Sequence, residues 1–160
     1  MSLQVTIAKL LLKLPDSLLV KLSGGQPVEI NGRTLDPQFQ FIAHGARNQP
    51  PMSSMTPEQA RQASAIGLQM FADEPAPGVT AADDEIPSSG RHRIPVRIYR
   101  PDNQDPQAPV MVFYHFGGGV IGDLDTSHVF CSMIAARARC PVVSVDYRLA
   151  PEHKLSLIHI

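Results

Sequence analysis

The feature that most constrains this chain lies between residues 110 and 146. Two short apolar runs, Val110-Met111-Val112-Phe113-Tyr114 and Pro141-Val142-Val143-Ser144-Val145-Asp146, flank a glycine cluster and a helix-length segment. A continuous apolar run of this length predicts a strand buried on both faces of a mainly parallel sheet. The segment from about Thr126 to Arg139 predicts the connecting helix, with Val129, Phe130, Met133, Ile134 and Ala138 turned inward. Strand, glycine loop, helix, strand in that order is a βαβ unit, and it makes the fold class α/β.

The rest of the chain is read around that unit. Residues 93–100 alternate with period two and predict a further strand, with Pro95 placing it near a sheet edge. Residues 74–90 are rich in proline, glycine and serine and carry Asp83-Asp84-Glu85, which marks a connector or a short edge strand around residues 79–86 and an internal boundary. Upstream the pattern is helical. Asp36-Pro37 supplies an N-cap and a first-turn proline, and Thr56-Pro57-Glu58-Gln59 resembles a capping box. Ala60, Ala63, Gly67, Met70 and Phe71 then form a packing stripe.

Composition excludes several classes. At 160 residues there is room for one ordinary domain, and 14 Lys+Arg against 15 Asp+Glu leave no basic field for nucleic acid. No apolar run reaches membrane-spanning length. The amphipathic stretch of Val5, Ile7, Leu10, Leu11 and Leu14 is expected to lie on the protein's own body rather than on a membrane surface. The two cysteines, Cys131 and Cys140, are too few for a disulfide framework or a four-ligand zinc site, are expected to be small buried apolar residues, and fit a cytoplasmic location.

The chemistry sits in His115-Phe116-Gly117-Gly118-Gly119-Val120-Ile121-Gly122-Asp123. Glycines at the carboxyl end of a central strand let backbone N–H groups approach a ligand without a side chain in the way. A nucleotide-phosphate reading is set aside for want of a dinucleotide fingerprint or a loop ending in Gly-Lys-Ser/Thr. Consecutive glycine amides after a histidine instead match the oxyanion-stabilising loop of acyl-transfer enzymes, with a plain tight turn as the structural alternative.

Four stretches together resemble the hormone-sensitive-lipase-like esterases, the bacterial family IV enzymes of the α/β-hydrolase fold. They are Ile94 to Pro101, Tyr114 to Gly119, Ile121 to Thr126, and Val143 to His153, the last reading Val-Ser-Val-Asp-Tyr-Arg-Leu-Ala-Pro-Glu-His. The resemblance implies the opening part of an α/β-hydrolase sheet, its early strands and first helix, preceded by a helical cap segment. By position, residues 1–75 would be the cap, with Phe39, Phe41, Met70 and Phe71 over an apolar acyl pocket, and residues 76–153 the first part of the core. His115 would support the loop, and Gly117 and Gly118 would form the oxyanion hole. Phe116 occupies a position where the family carries glycine, and Gly119 one where it carries an aromatic residue. A register shifted to Gly118 and Gly119 is therefore the alternative, and a positive φ at Phe116 would strain the turn. Asp146-Tyr147-Arg148 would be a structural network. His128 and His153 are passed over as bases, because in this fold the base follows the nucleophile.

No G-x-S-x-G occurs in the 160 residues, so the nucleophile, the acid and the base histidine are expected outside them. Residues 154–160 look foreign to the family, and Leu-Ser-Leu-Ile-His-Ile resembles translated sequencing-adapter DNA. A sheet cut here would leave Val142–Val145 as an exposed apolar edge and favour self-association into a homo-oligomer, poor solubility and no cooperative unfolding. The resemblance implies hydrolysis of short-to-medium acyl esters as small-molecule substrates, without metal or organic cofactor. The alternatives are a non-catalytic binding protein on the same scaffold, as in the related plant gibberellin receptors, and a fragment with no function of its own.

Overall fold

The computed structural model describes residues 3–71, 74–88 and 92–154, and the chain divides into two compact units. The side chains of Val5, Met70 and Phe71, and residues 155–160 of the tail, lie outside what is described.

The first unit comprises residues 1–55 with 69–71. It contains α1 (Leu3–Leu11), α2 (Asp16–Leu22), a two-residue hairpin of β1 (Glu29–Ile30) and β2 (Arg33–Thr34), and α3 (Pro37–Ala46). The Asp36 carboxylate caps α3 as expected, accepting from the N–H groups of Gln38 and Phe39, with Pro37 in the first turn. The hairpin was not anticipated, although its Asn31-Gly32 turn, both residues at positive φ, is a recognised turn signal. Ile7 and Leu10 of the N-terminal amphipathic stretch remain exposed among the described residues. Buried Gln40 organises this unit. Its Nε2 donates to the Ser23 and Gln26 carbonyls and to Ser23 Oγ, and its Oε1 accepts from Val28 N.

The second unit comprises residues 56–68 and 72–160. It holds most of α4 (Pro57–Phe71), then β3 (Val79–Pro87), β4 (Arg93–Pro101), β5 (Met111–Tyr114), α5 (His128–Ala138) and β6 (Val142–Val145). The capping box forms reciprocally: Thr56 N donates to Gln59 Oε1 at 3.0 Å and Gln59 N to Thr56 Oγ1 at 3.3 Å. The four-stranded sheet runs β3-β4-β6-β5. β5, α5 and β6 form the expected parallel crossover. The sheet as a whole is mixed, because β4 runs antiparallel to both β3 and β6.

Four expectations are corrected. β6 lies between β4 and β5 and is not the exposed edge. β5 is the outer strand, and it is not buried on both faces. α5 shields Phe113, which meets Phe130 at 5.5 Å between ring centroids, but Val112 and Tyr114 point the other way and stay exposed. β4 is interior rather than an edge. Pro95 is tolerated there because it precedes the stretch Val96–Tyr99 that pairs with β6, so its missing N–H breaks none of that ladder. In α5, Phe130 and Ala138 are exposed, and Cys131, Ser132 and Ala135 face inward instead. The core is Tyr99, Cys131, Ala135 and Val142, flanked by Val79, Phe113 and Ile134. Its small residues let α5 sit close to the sheet, a face that a search for large apolar side chains overlooks. Both cysteines are buried and free.

Candidate active site

The loop leaving β5 is shaped by glycine. Gly117, Gly118, Gly119 and Gly122 have φ of +134, +62, +71 and +102°. They do not have equal reasons to be glycine. A Cβ at Gly117 would overlap the carbonyl of Ile121, and one at Gly122 would overlap the His115 ring and the Phe116 carbonyl, whereas Gly118 and Gly119 face open space. The loop folds back on itself, with Val120 N and Ile121 N both donating to Gly117 O at 3.1 Å. Among the described residues no group accepts from the N–H of Gly117, Gly118 or Gly119. Three successive amides without a partner at a strand end are donors of the kind that an anion or a developing oxyanion takes.

His115 braces the start of the loop from below. It is 3% exposed and stacks on Tyr147, with centroids 4.2 Å apart and planes at 15°. The Tyr147 hydroxyl donates to the His115 carbonyl at 2.5 Å. His115 Nδ1 lies 3.1 Å from the Phe116 carbonyl, which can only accept, so the proton belongs on Nδ1 and leaves the buried Nε2 as an unpaired acceptor. The Asp146 carboxyl is pushed above its usual range by burial.

The far end of the loop is held by side chains from distant elements. Asp123 and Thr126 bond reciprocally, Asp123 N to Thr126 Oγ1 at 2.8 Å and Thr126 N to Asp123 Oδ1 at 2.7 Å. Arg97 of β4 pairs with Asp83 and also reaches Asp125 at 2.8 Å. Arg61 of α4 donates to the carbonyls of Val120 and Ala150 and pairs with both carboxylate oxygens of Glu152. That pairing holds the Glu152 carboxyl far below its usual range, at about 2.

The structure therefore brings together His115, Gly117, Gly118 and Gly119, with Tyr147 and Asp146 behind them. Phe116 is exposed and has no positive φ, so the anticipated strain does not arise. His128 is engaged elsewhere, its Nδ1 3.1 Å from the hydroxyl of Tyr99, and His153 is exposed. The sequence reading missed that Gly117, Gly119 and Gly122 do satisfy a G-x-G-x-x-G spacing. Geometry removes the dinucleotide reading all the same. Such a loop runs straight into a helix N-terminus, whereas α5 starts six residues after Gly122. Arg61 was also missed, and no local pattern could have found it, since its partners lie 59 to 91 residues away.

A family described by its alpha/beta hydrolase fold matches residues 111–159. Carboxylic ester hydrolase LipN of Mycobacterium tuberculosis is 38% identical over 82% of this chain and 35% of its own length. Carboxylesterase NlhH of the same species is 52% identical over 38% of this chain and 19% of its own. An ester-hydrolase from the metagenome of Lake Arreo superposes with a TM-score of 0.62 at 30% identity, covering 71% of this chain and 36% of that one. The chain spans about a third of the length of the curated relatives that match most of it.

Proposed function

We infer that the chain is part of a hormone-sensitive-lipase-like esterase of the α/β-hydrolase fold, and that the whole protein is a carboxylic ester hydrolase acting on short-to-medium acyl esters. The observation that carries this reading is the run of unpaired amides at Gly117, Gly118 and Gly119, held at the carboxyl end of β5.

When a nucleophile adds to an ester carbonyl, negative charge moves onto the carbonyl oxygen. Gly117 N–H and Gly118 N–H donate to that oxygen, and the register using Gly118 and Gly119 remains the alternative. Each such donor is typically worth about 3–4 kcal/mol in the transition state, because it is fixed before the reaction and needs no reorganisation. His115 acts as support, since its ring is stacked under Tyr147 and its proton is directed to the Phe116 carbonyl. The 160 residues contain no G-x-S-x-G, so this reading assigns the attacking serine, its histidine base and the acid to residues outside them. The reaction so described needs no metal or organic cofactor.

The test is hydrolysis of a p-nitrophenyl ester series from acetate to decanoate by the whole protein. Turnover that is highest on the shorter chains and abolished by a serine-directed phosphonate supports the reading. Absence of turnover, or turnover indifferent to the phosphonate, overturns it.

A further inference from the structure

We propose that Arg61 is a positioning residue for the oxyanion loop, fixing the direction in which the Gly118 N–H points through a relay of hydrogen bonds that ends at that amide. The inference rests on the esterase reading above only for its catalytic consequence; the relay itself is a matter of geometry.

The relay can be followed bond by bond. Arg61 Nε donates to Val120 O and Nη2 to Ala150 O, both at 2.8 Å, while Nη1 and Nη2 grip Glu152 at 2.8 and 2.7 Å. Ala150, anchored at its carbonyl, donates its N–H from the adjoining peptide, across its own Cα, to Gly119 O at 2.8 Å. A trans peptide is planar with its C=O and N–H opposed, so fixing Gly119 O also fixes Val120 N–H on the other side of the same plane. Val120 N–H in turn donates to Gly117 O at 3.1 Å. Gly117 O shares its plane with Gly118 N–H, which must therefore point away from Val120 and out of the loop, free to donate.

Glycine makes this tie necessary. At Gly118 and Gly119 no side chain limits the backbone, and nothing lies within 4 Å of where a Cβ would stand. The peptides on either side, Gly117–Gly118 and Gly119–Val120, take their direction from the hydrogen bonds at Gly117 O, Gly119 O and Val120 N. Arginine suits the task because one planar guanidinium spans a carboxylate bidentately and still reaches two carbonyls. A lysine ammonium cannot do both. The Arg61 side chain is 32% exposed and that of Glu152 54%, so the pair is a small part of the fold's stability and its loss should loosen the loop selectively.

The experiment compares Arg61→Ala, Arg61→Lys and Glu152→Gln in the whole protein with two readouts. One is kcat and KM for p-nitrophenyl butyrate. The other is amide hydrogen exchange at Val120 and Ala150 against the sheet amides of β4 and β6. Arg61→Ala is expected to lower kcat by about tenfold to a hundredfold with KM within about twofold. It should also speed exchange at Val120 and Ala150 while leaving β4 and β6 unchanged. Arg61→Lys should recover only part of the kcat, and Glu152→Gln, which spares the two carbonyl contacts, should fall between. Unchanged kcat, unchanged exchange at the two loop amides, or equal acceleration across the sheet overturns the proposal. If the unmutated protein proves to have no ester turnover, the esterase reading fails by itself. Selective acceleration at Val120 and Ala150 then still upholds the relay, and its absence overturns it.

Discussion

The four glycines of the loop should differ sharply in what alanine does to them. At Gly117 the added methyl meets the Ile121 carbonyl, a backbone group that cannot swing aside, at a φ of +134° that L residues rarely adopt. Strain of about 1–3 kcal/mol from the backbone conformation and about 1–3 kcal/mol from overpacking add to roughly 4 kcal/mol. At Gly118 the methyl enters open space and φ is +62°, in the ordinary left-handed well, so the cost falls to about 1–2 kcal/mol. Urea unfolding of Gly117→Ala and Gly118→Ala in the whole protein, at a common m-value, measures the difference directly. The expected order is a loss for Gly117→Ala at least about 2 kcal/mol greater than for Gly118→Ala. Equal losses, or a Gly117→Ala variant within about 1 kcal/mol of the parent, would refute the loop geometry on which the oxyanion reading stands.

Three further outcomes follow from other parts of the structure. Gln40→Ala strands Val28 N and the buried Ser23 carbonyl in the first unit, and should cost about 2–3 kcal/mol by the same urea assay, against under about 0.5 kcal/mol for the exposed Gln49→Ala. Glu152 titrates at about 2 when folded against 4.5 unperturbed, so its contribution to holding the loop is complete above about pH 4.5 and is lost as pH falls towards 2. Exchange at the Ala150 amide, corrected for intrinsic rate, should show that onset, and a loop that loosens only above neutral pH would contradict the pairing. Burial raises the Cys131 thiol, so this residue should react with a disulfide reagent only as fast as the core opens, and prompt labelling of the folded protein would contradict its place between Tyr99 and Val142.

What the sequence disclosed and what it concealed divide along physical lines. Capping at Asp36 and Thr56 was legible because a cap is a contact between residues two or three apart. The βαβ unit was legible because its two strands and helix are contiguous. The order of strands was not. A parallel crossover can return on either side of β5, and only the antiparallel partner β4, joined far upstream in the chain, decides that β6 is interior. The exposure of Val112 and Tyr114 has a separate cause, because an apolar run states what a strand prefers and not whether a layer covers its face. The inward face of α5 was misread for a different reason: Cys131, Ser132 and Ala135 pack by being small, while Phe130 meets the Phe113 ring and stays exposed.

The glycine loop was the most legible part of the site, since positive φ restricts residue type locally and writes itself into the sequence. Its exemption at Phe116 was also settled by the backbone, which carries no positive φ there. Arg61 stands at the other extreme. It lies outside every stretch that carries the family resemblance, yet it contributes four of the contacts that hold the loop and the turn after Leu149.

The central claim, that the amides of Gly117 to Gly119 receive an oxyanion, is tested most directly by NMR of the whole protein labelled with 15N-glycine, before and after reaction with a phosphonate ester that mimics the tetrahedral intermediate. Two adjacent amide protons of this run are expected to move strongly downfield as they bond to the phosphonyl oxygen. The pair Gly117 and Gly118 would fix the principal register, and Gly118 and Gly119 the alternative one. A phosphonylated protein whose three glycine amides stay where they were would contradict that claim.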